Sequence, residues 1–153
     1  MDIIAFQPKI ETKQEDKLYK ACIKFKELLS ELRKKELDAD LIKSVNREIE
    51  YLNTISDSSK LLKSQIKKKQ STIIKLVEKE AKLVVKNHYR NLWLAIGMAV
   101  FGIPLGVAFG ATLGNMAFLG IGLPIGFTIG IAIGSNMDKK AKEEGRQLDF
   151  EMG

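Results

Sequence analysis

Between Asn91 and Met137 the sequence has no Asp, Glu, Lys, Arg or His. Elsewhere it is short of the residues that catalysis and metal binding most often need, with one cysteine, Cys22, and one histidine, His88. A single cysteine excludes an intramolecular disulfide and supplies no metal framework. His88 has no cluster of Cys, Asp or Glu around it in sequence, so its default role is an interfacial polar residue. No nucleophile motif and no metal-ligand spacing is found, and the reading is a non-enzymatic protein without a cofactor. Residues 1–10 are neither basic nor followed by an apolar core of signal-peptide length, so the first apolar span is expected to act as the insertion signal.

What fills the uncharged stretch is aliphatic residues and most of the chain's glycines. A helix crosses a bilayer core with about 20 apolar residues, so this stretch has the length of two spans and a tight reversal. The spans are expected at 92–113 and 117–136. The reversal is expected at Gly114, Asn115 and Met116, because Gly and Asn tolerate left-handed backbone.

The two spans repeat one another. GIPLGVAFGATLG starts at Gly102 and GLPIGFTIGIAIG starts at Gly122. Gly102, Gly106, Gly110 and Gly114, then Gly122, Gly126, Gly130 and Gly134, recur at every fourth position. In a helix such a series forms a stripe that drifts by about 40° per step, which favours right-handed crossings at close approach. Pro104, Ala108 and Thr112, and likewise Pro124, Thr128 and Ala132, fall midway between the glycines and form a second small face. One thin face is expected to meet the sister span and the other a neighbouring subunit. The same alternation has the period of a β-strand. Against that reading, a barrel wall alternates polar lumen with apolar exterior, and glycine is unfavourable in strands.

Charge is uneven along the rest. Residues 60–90 carry 10 Lys and Arg against 2 Asp and Glu, whereas 1–59 carry 11 against 12 and 138–153 carry 4 against 5. Clustered cations such as Lys67, Lys68 and Lys69 suit phosphate. Adjacency to a membrane span and the lack of interleaved aromatics favour anionic lipid headgroups over nucleic acid as the partner. Lys86, Tyr89, Arg90 and Trp93 before the first span, and Lys139 and Lys140 after the second, have the composition of a membrane boundary with both chain ends on the cytoplasmic side.

The first half carries helical periodicity. Leu18, Cys22, Phe25, Leu29 and Leu32 alternate steps of four and three, with Ala21 and Leu28 widening the stripe. Asp38 or Asp40 is placed to cap a second helix, whose stripe is Ile42, Val45, Ile49 and Leu52. The cluster at 56–59 marks a break. A third helix from about Lys60 would use Leu62, Ile66, Ile73, Val77 and Val84. No Pro or Gly occurs between Lys60 and Leu92, which permits that helix to run on into the first span. The expected class is all-α. A cytoplasmic helical hairpin (1–59) and a basic juxtamembrane helix (60–91) together form an antiparallel bundle of two to three helices. A transmembrane hairpin (92–137) and a cytoplasmic tail (138–153) follow. Residues 10–56 offer a surface for a cytoplasmic protein partner.

The duplicated GxxxGxxxGxxxG series, with the run from about Tyr89 to Gln147, resembles the bacterial glycine-zipper family of small membrane proteins. The resemblance covers about two fifths of the chain. It implies oligomerisation through Gly102, Gly106, Gly110, Gly114, Gly122, Gly126, Gly130 and Gly134. The expected function is an oligomerising protein of the bacterial inner membrane whose cytoplasmic helices recruit a partner or gate the assembly. The alternatives are a pore-forming effector that depolarises the membrane and, after it, an accessory subunit of a membrane enzyme.

Overall fold

A computed structural model describes residues 2–8, 16–55 and 59–152, with only the backbone of Asp16, Ser59, Met116 and Leu119. In chain order the elements are α1 (Asp16–Arg33), α2 (Ala39–Thr54), α3 (Ser59–Ala81), β1 (Val84–Val85), α4 (His88–Gly97), a π-helical turn (Met98–Gly102), α5 (Ile103–Thr112), a 3-10 turn (Met116–Phe118), α6 (Leu119–Glu143) and β2 (Gln147–Leu148). β1 and β2 pair as a two-stranded sheet. The chain divides into two compact units, Met1–Val84 with Leu148–Phe150, and Val85–Gln147 with Glu151–Gly153.

In the first unit α1 and α2 each pack on α3. The stripe of α1 is buried throughout, with Phe25, Leu28 and Leu32 fully enclosed. Each such side chain contributes on the order of 2 kcal/mol by leaving water. Cys22 belongs to this core, and burial pushes its thiol pKa up, against a smaller lowering by Lys26. On α2 the buried residues are Leu41, Val45, Asn46, Ile49 and Leu52. Leu41 therefore takes the place expected for Ile42, which is half-buried. Asp38 is the N-cap of α2 through its backbone, its carbonyl accepting the Ile42 N–H at 3.0 Å, with no side-chain cap bond. Of the cluster expected at 56–59, residues 56–58 lie outside the described residues, and Ser59 begins α3.

α3 buries Leu62, Ile66, Ile73, Ile74 and Val77. It is thus a core helix of the first unit, and it ends at Ala81 rather than running on into the apolar helix that begins at His88. Lys82 turns left-handed at φ 56°, and the Leu83 N–H returns to the Val77 carbonyl at 3.2 Å. A left-handed lysine costs about 1–2 kcal/mol. Leu83 and Val84 are 7% and 2% exposed, and their burial outweighs that cost. A second left-handed residue, Asn87 at φ 60°, precedes α4.

Candidate helix-packing site

In the second unit the helical run His88–Thr112 and the helix α6 are each long and apolar enough to cross a membrane. They reverse where the sequence places the turn. Gly114 adopts φ 67°, the Asn115 N–H bonds the Gly110 carbonyl at 3.1 Å, and the Asn115 side chain accepts the Ala117 N–H at 2.9 Å. The first bond closes the helix end through a left-handed glycine. The second starts the next turn.

The helices then meet backbone to backbone. A Cβ placed on Gly126 would lie 2.5 Å from the Gly97 carbonyl oxygen and 2.6 Å from the Gly102 nitrogen. One on Gly122 would lie 2.7 Å from the Gly106 Cα, and one on Gly134 would lie 2.5 Å from the Arg90 Cα. One on Gly130 would lie 2.9 Å from the Trp93 carbonyl carbon. No side chain other than hydrogen fits such an approach, and the gain is van der Waals contact between main chains. Gly102, Gly106, Gly110, Gly122, Gly126, Gly130 and Gly134 are all buried. Gly114 is not part of this face: it is exposed, nothing would meet its Cβ within 4 Å, and its work is the turn.

Gly97 is a packing residue that the four-residue spacing conceals, because it stands five positions before Gly102. Five residues of α-helix advance about 500°, which would carry Gly97 some 140° off the stripe. The π-helical turn at Met98–Gly102 absorbs the extra residue. There the Ile103 N–H bonds Met98 five residues back, and Gly97 rejoins the buried face. Pro104 follows directly after the π-helical turn within the same helical run, where it supplies no N–H to the ladder.

The second small face stays outside. Pro104, Ala108, Thr112, Pro124, Thr128 and Ala132 are exposed. The Thr112 hydroxyl donates to the Ala108 carbonyl and the Thr128 hydroxyl to the Pro124 carbonyl, each at 2.8 Å. Both hydroxyls are therefore spent within their own helices, and the face behaves as small and apolar.

At the open end of the hairpin a carboxylate does the work of a cap. Asn87, the N-cap of α4, makes no side-chain bond to it. Instead the two oxygens of buried Asp138 on α6 accept the Tyr89 N–H at 3.0 Å and the Arg90 N–H at 2.9 Å. A carboxylate there satisfies two orphan donors and meets the positive end of the helix dipole. Asp138→Ala is expected to destabilise the hairpin by about 1–3 kcal/mol. Hydrogen exchange should show the Tyr89 and Arg90 amides losing protection first, while Asp138→Asn keeps part of it.

The boundary residues are placed individually. Lys67 and Lys68 are exposed, but Lys69 is only partly so: its ammonium pairs with Glu48 at 2.5 Å and lies 4.3 Å from the centre of the Tyr51 ring. Lys69 is thereby drawn into the first unit's own contacts. Lys86, Lys139 and Lys140 are exposed, and Tyr89, Arg90 and Trp93 are half-buried. Among the described residues no group of three His, Cys, Asp or Glu could hold a metal ion. No protein-family model, curated protein or solved structure matches this chain. The packing geometry alone carries the functional reading.

Proposed function

We propose that the chain is a non-enzymatic membrane protein whose glycine-closed hairpin lies in the bilayer and assembles with copies of itself. The face lined by Ala108, Thr112, Thr128 and Ala132 makes the contact between copies, and the three-helix unit recruits a cytoplasmic partner or gates the assembly. The observation that supports insertion is what the hairpin leaves uncovered. Only 17% and 22% of the most apolar windows of the two helices are buried. Val100, Phe101, Ile103, Val107, Phe109, Leu113, Ile121, Leu123, Ile125 and Phe127 stand exposed. Helices in the core of a water-soluble protein bury such residues, and an apolar surface of this extent calls for lipid or protein.

Self-assembly is supported by the division of labour between the faces. The glycines are consumed inside one hairpin, yet a second row of small residues remains, which an anchor alone does not need. Lys86, Lys139 and Lys140 flank the spans and set both chain ends on the cytoplasmic side. Lys67 and Lys68 add attraction to anionic headgroups, about 1 kcal/mol each near the surface.

Expression in bacteria with a membrane-potential dye separates this reading from a pore. The chain should resist alkaline extraction from the inner membrane, with a reporter after residue 153 in the cytoplasm and the potential unchanged. Depolarisation that Gly126→Leu abolishes would replace the scaffold reading with the pore.

A further inference from the structure

Residues 2–8 form neither helix nor strand, yet Ile3 and Phe6 are 7% and 4% exposed. The segment is held by side chains of α1 and α2 acting on its backbone. The Asn46 side chain accepts the Ile4 N–H and donates to the Asp2 carbonyl, both at 3.0 Å. Asn53 repeats the pattern three residues on, accepting the Gln7 N–H at 2.9 Å and donating to the Ala5 carbonyl at 3.1 Å. Two turns of helix separate the asparagines, about 10.5 Å of rise, and three extended residues span about 10 Å. Seven residues of α2 therefore rise as far as three extended residues reach.

Between each bonded pair stands one buried side chain, Ile3 in the first and Phe6 in the second. Phe6 meets Phe25 of α1 edge-on, with ring centres 4.8 Å apart. From α1 the Arg33 guanidinium donates to the Ile3 carbonyl at 3.3 Å and the Ile4 carbonyl at 2.8 Å. Every polar contact named here is to main chain. The groove thus demands an extended segment with apolar side chains three residues apart, and little else.

We propose that the α1–α2 groove is a peptide-binding site for segments of that form, and that within the membrane assembly it accepts residues 2–8 of a neighbouring copy. Each copy carries a segment known to fit. Seven residues, 9–15, join it to α1, up to about 25 Å of chain. A segment exchanged between copies makes the same contacts as one docked in its own chain, so exchange is close to neutral. Confinement to one membrane assembly supplies the high effective concentration that exchange needs. Neighbour occupancy rests on the self-assembly reading; the peptide site does not.

The probe is a fluorescent peptide of residues 2–8, added to full-length Phe6→Ser protein in detergent. Saturable binding at least tenfold tighter than to wild type, whose groove is filled, and lost when Asn46→Ala and Asn53→Ala are added, is the expected result. Absence of saturable binding to a Phe6→Ser chain with wild-type circular dichroism overturns the site. Should that chain lose helicity, Ile3→Ser replaces it in the same assay. For neighbour occupancy, tagged wild-type protein should capture untagged Phe6→Ser chains more strongly than tagged Phe6→Ser protein does, and equal capture overturns it. Failure of wild-type copies to capture one another while the peptide still binds would instead overturn self-assembly.

Discussion

Gly126→Ala is expected to open the hairpin, whereas Gly120→Ala, six residues earlier on the same helix, is expected to leave it closed. A methyl group at Gly126 meets the Gly97 carbonyl oxygen at 2.5 Å and the Gly102 nitrogen and Cα at 2.6 and 2.7 Å. All three are main-chain atoms, so no rotamer change relieves the clash and the helices must part. Overpacking of this kind costs about 1–3 kcal/mol, and parting also forfeits the dispersion contacts of the neighbouring glycines. Nothing lies within 4 Å of a Cβ at Gly120. Alanine there gains up to about 1 kcal/mol of helix propensity. Gly114→Ala should fall between them, losing about 1–2 kcal/mol at its left-handed φ without any clash. Thermal unfolding in detergent ranks the four proteins. The emission of Trp93, the only tryptophan, reports Gly130→Ala directly because that methyl meets the Trp93 backbone.

Deleting one residue from the apolar helical run 88–112 is expected to be tolerated in one place and ruinous a few residues away. Removal of Ala99 shortens the interval from Gly97 to Gly102 to four, the spacing of every other step in the stripe. The π-helical turn then has no extra residue to hold and reverts to α-helix, with Arg90, Trp93 and Gly97 still facing α6. A π-turn is a one-residue insertion into an α-helix, so its deletion restores the parent register. Removal of Val107 rotates everything before it by about 100° relative to Gly110. That swings Gly102 and Gly106 off α6 and puts bulky residues in their place. Membrane-inserted yield and thermal stability should be near wild type for the first deletion and largely lost for the second. Equal damage from both would mean that the π-helical turn has some other purpose.

Much of this architecture is legible in the residue order. The α1 stripe from Leu18 to Leu32, the Gly114-Asn115 reversal and the two faces of small residues follow from local periodicity and backbone preference. Other features depend on partners far away in sequence. Asp138 reads as part of a basic tail until α4 is seen 48 and 49 residues earlier in the chain, offering it two free amides. Asn46 and Asn53 lie on a polar-looking face of α2, and only the docked segment 2–8 shows what they bind. Lys82 carries no signal of a helix end, because a left-handed lysine is stabilised by the burial of Leu83 and Val84. Gly97 is hidden for a different reason: the spacing rule that finds its neighbours assumes an unbroken α-helix.

The glycines thus serve closure within one chain, and the proposed function gives contact between chains to the opposite face. Counting subunits in nanodiscs by single-molecule photobleaching, for wild type and for Ala108→Leu with Thr128→Leu, tests that claim most directly. Wild type should show more than one subunit, and the double variant one, with an unchanged Trp93 emission that reports an intact hairpin. A single subunit for wild type, or an assembly unaffected by both leucines, would contradict it.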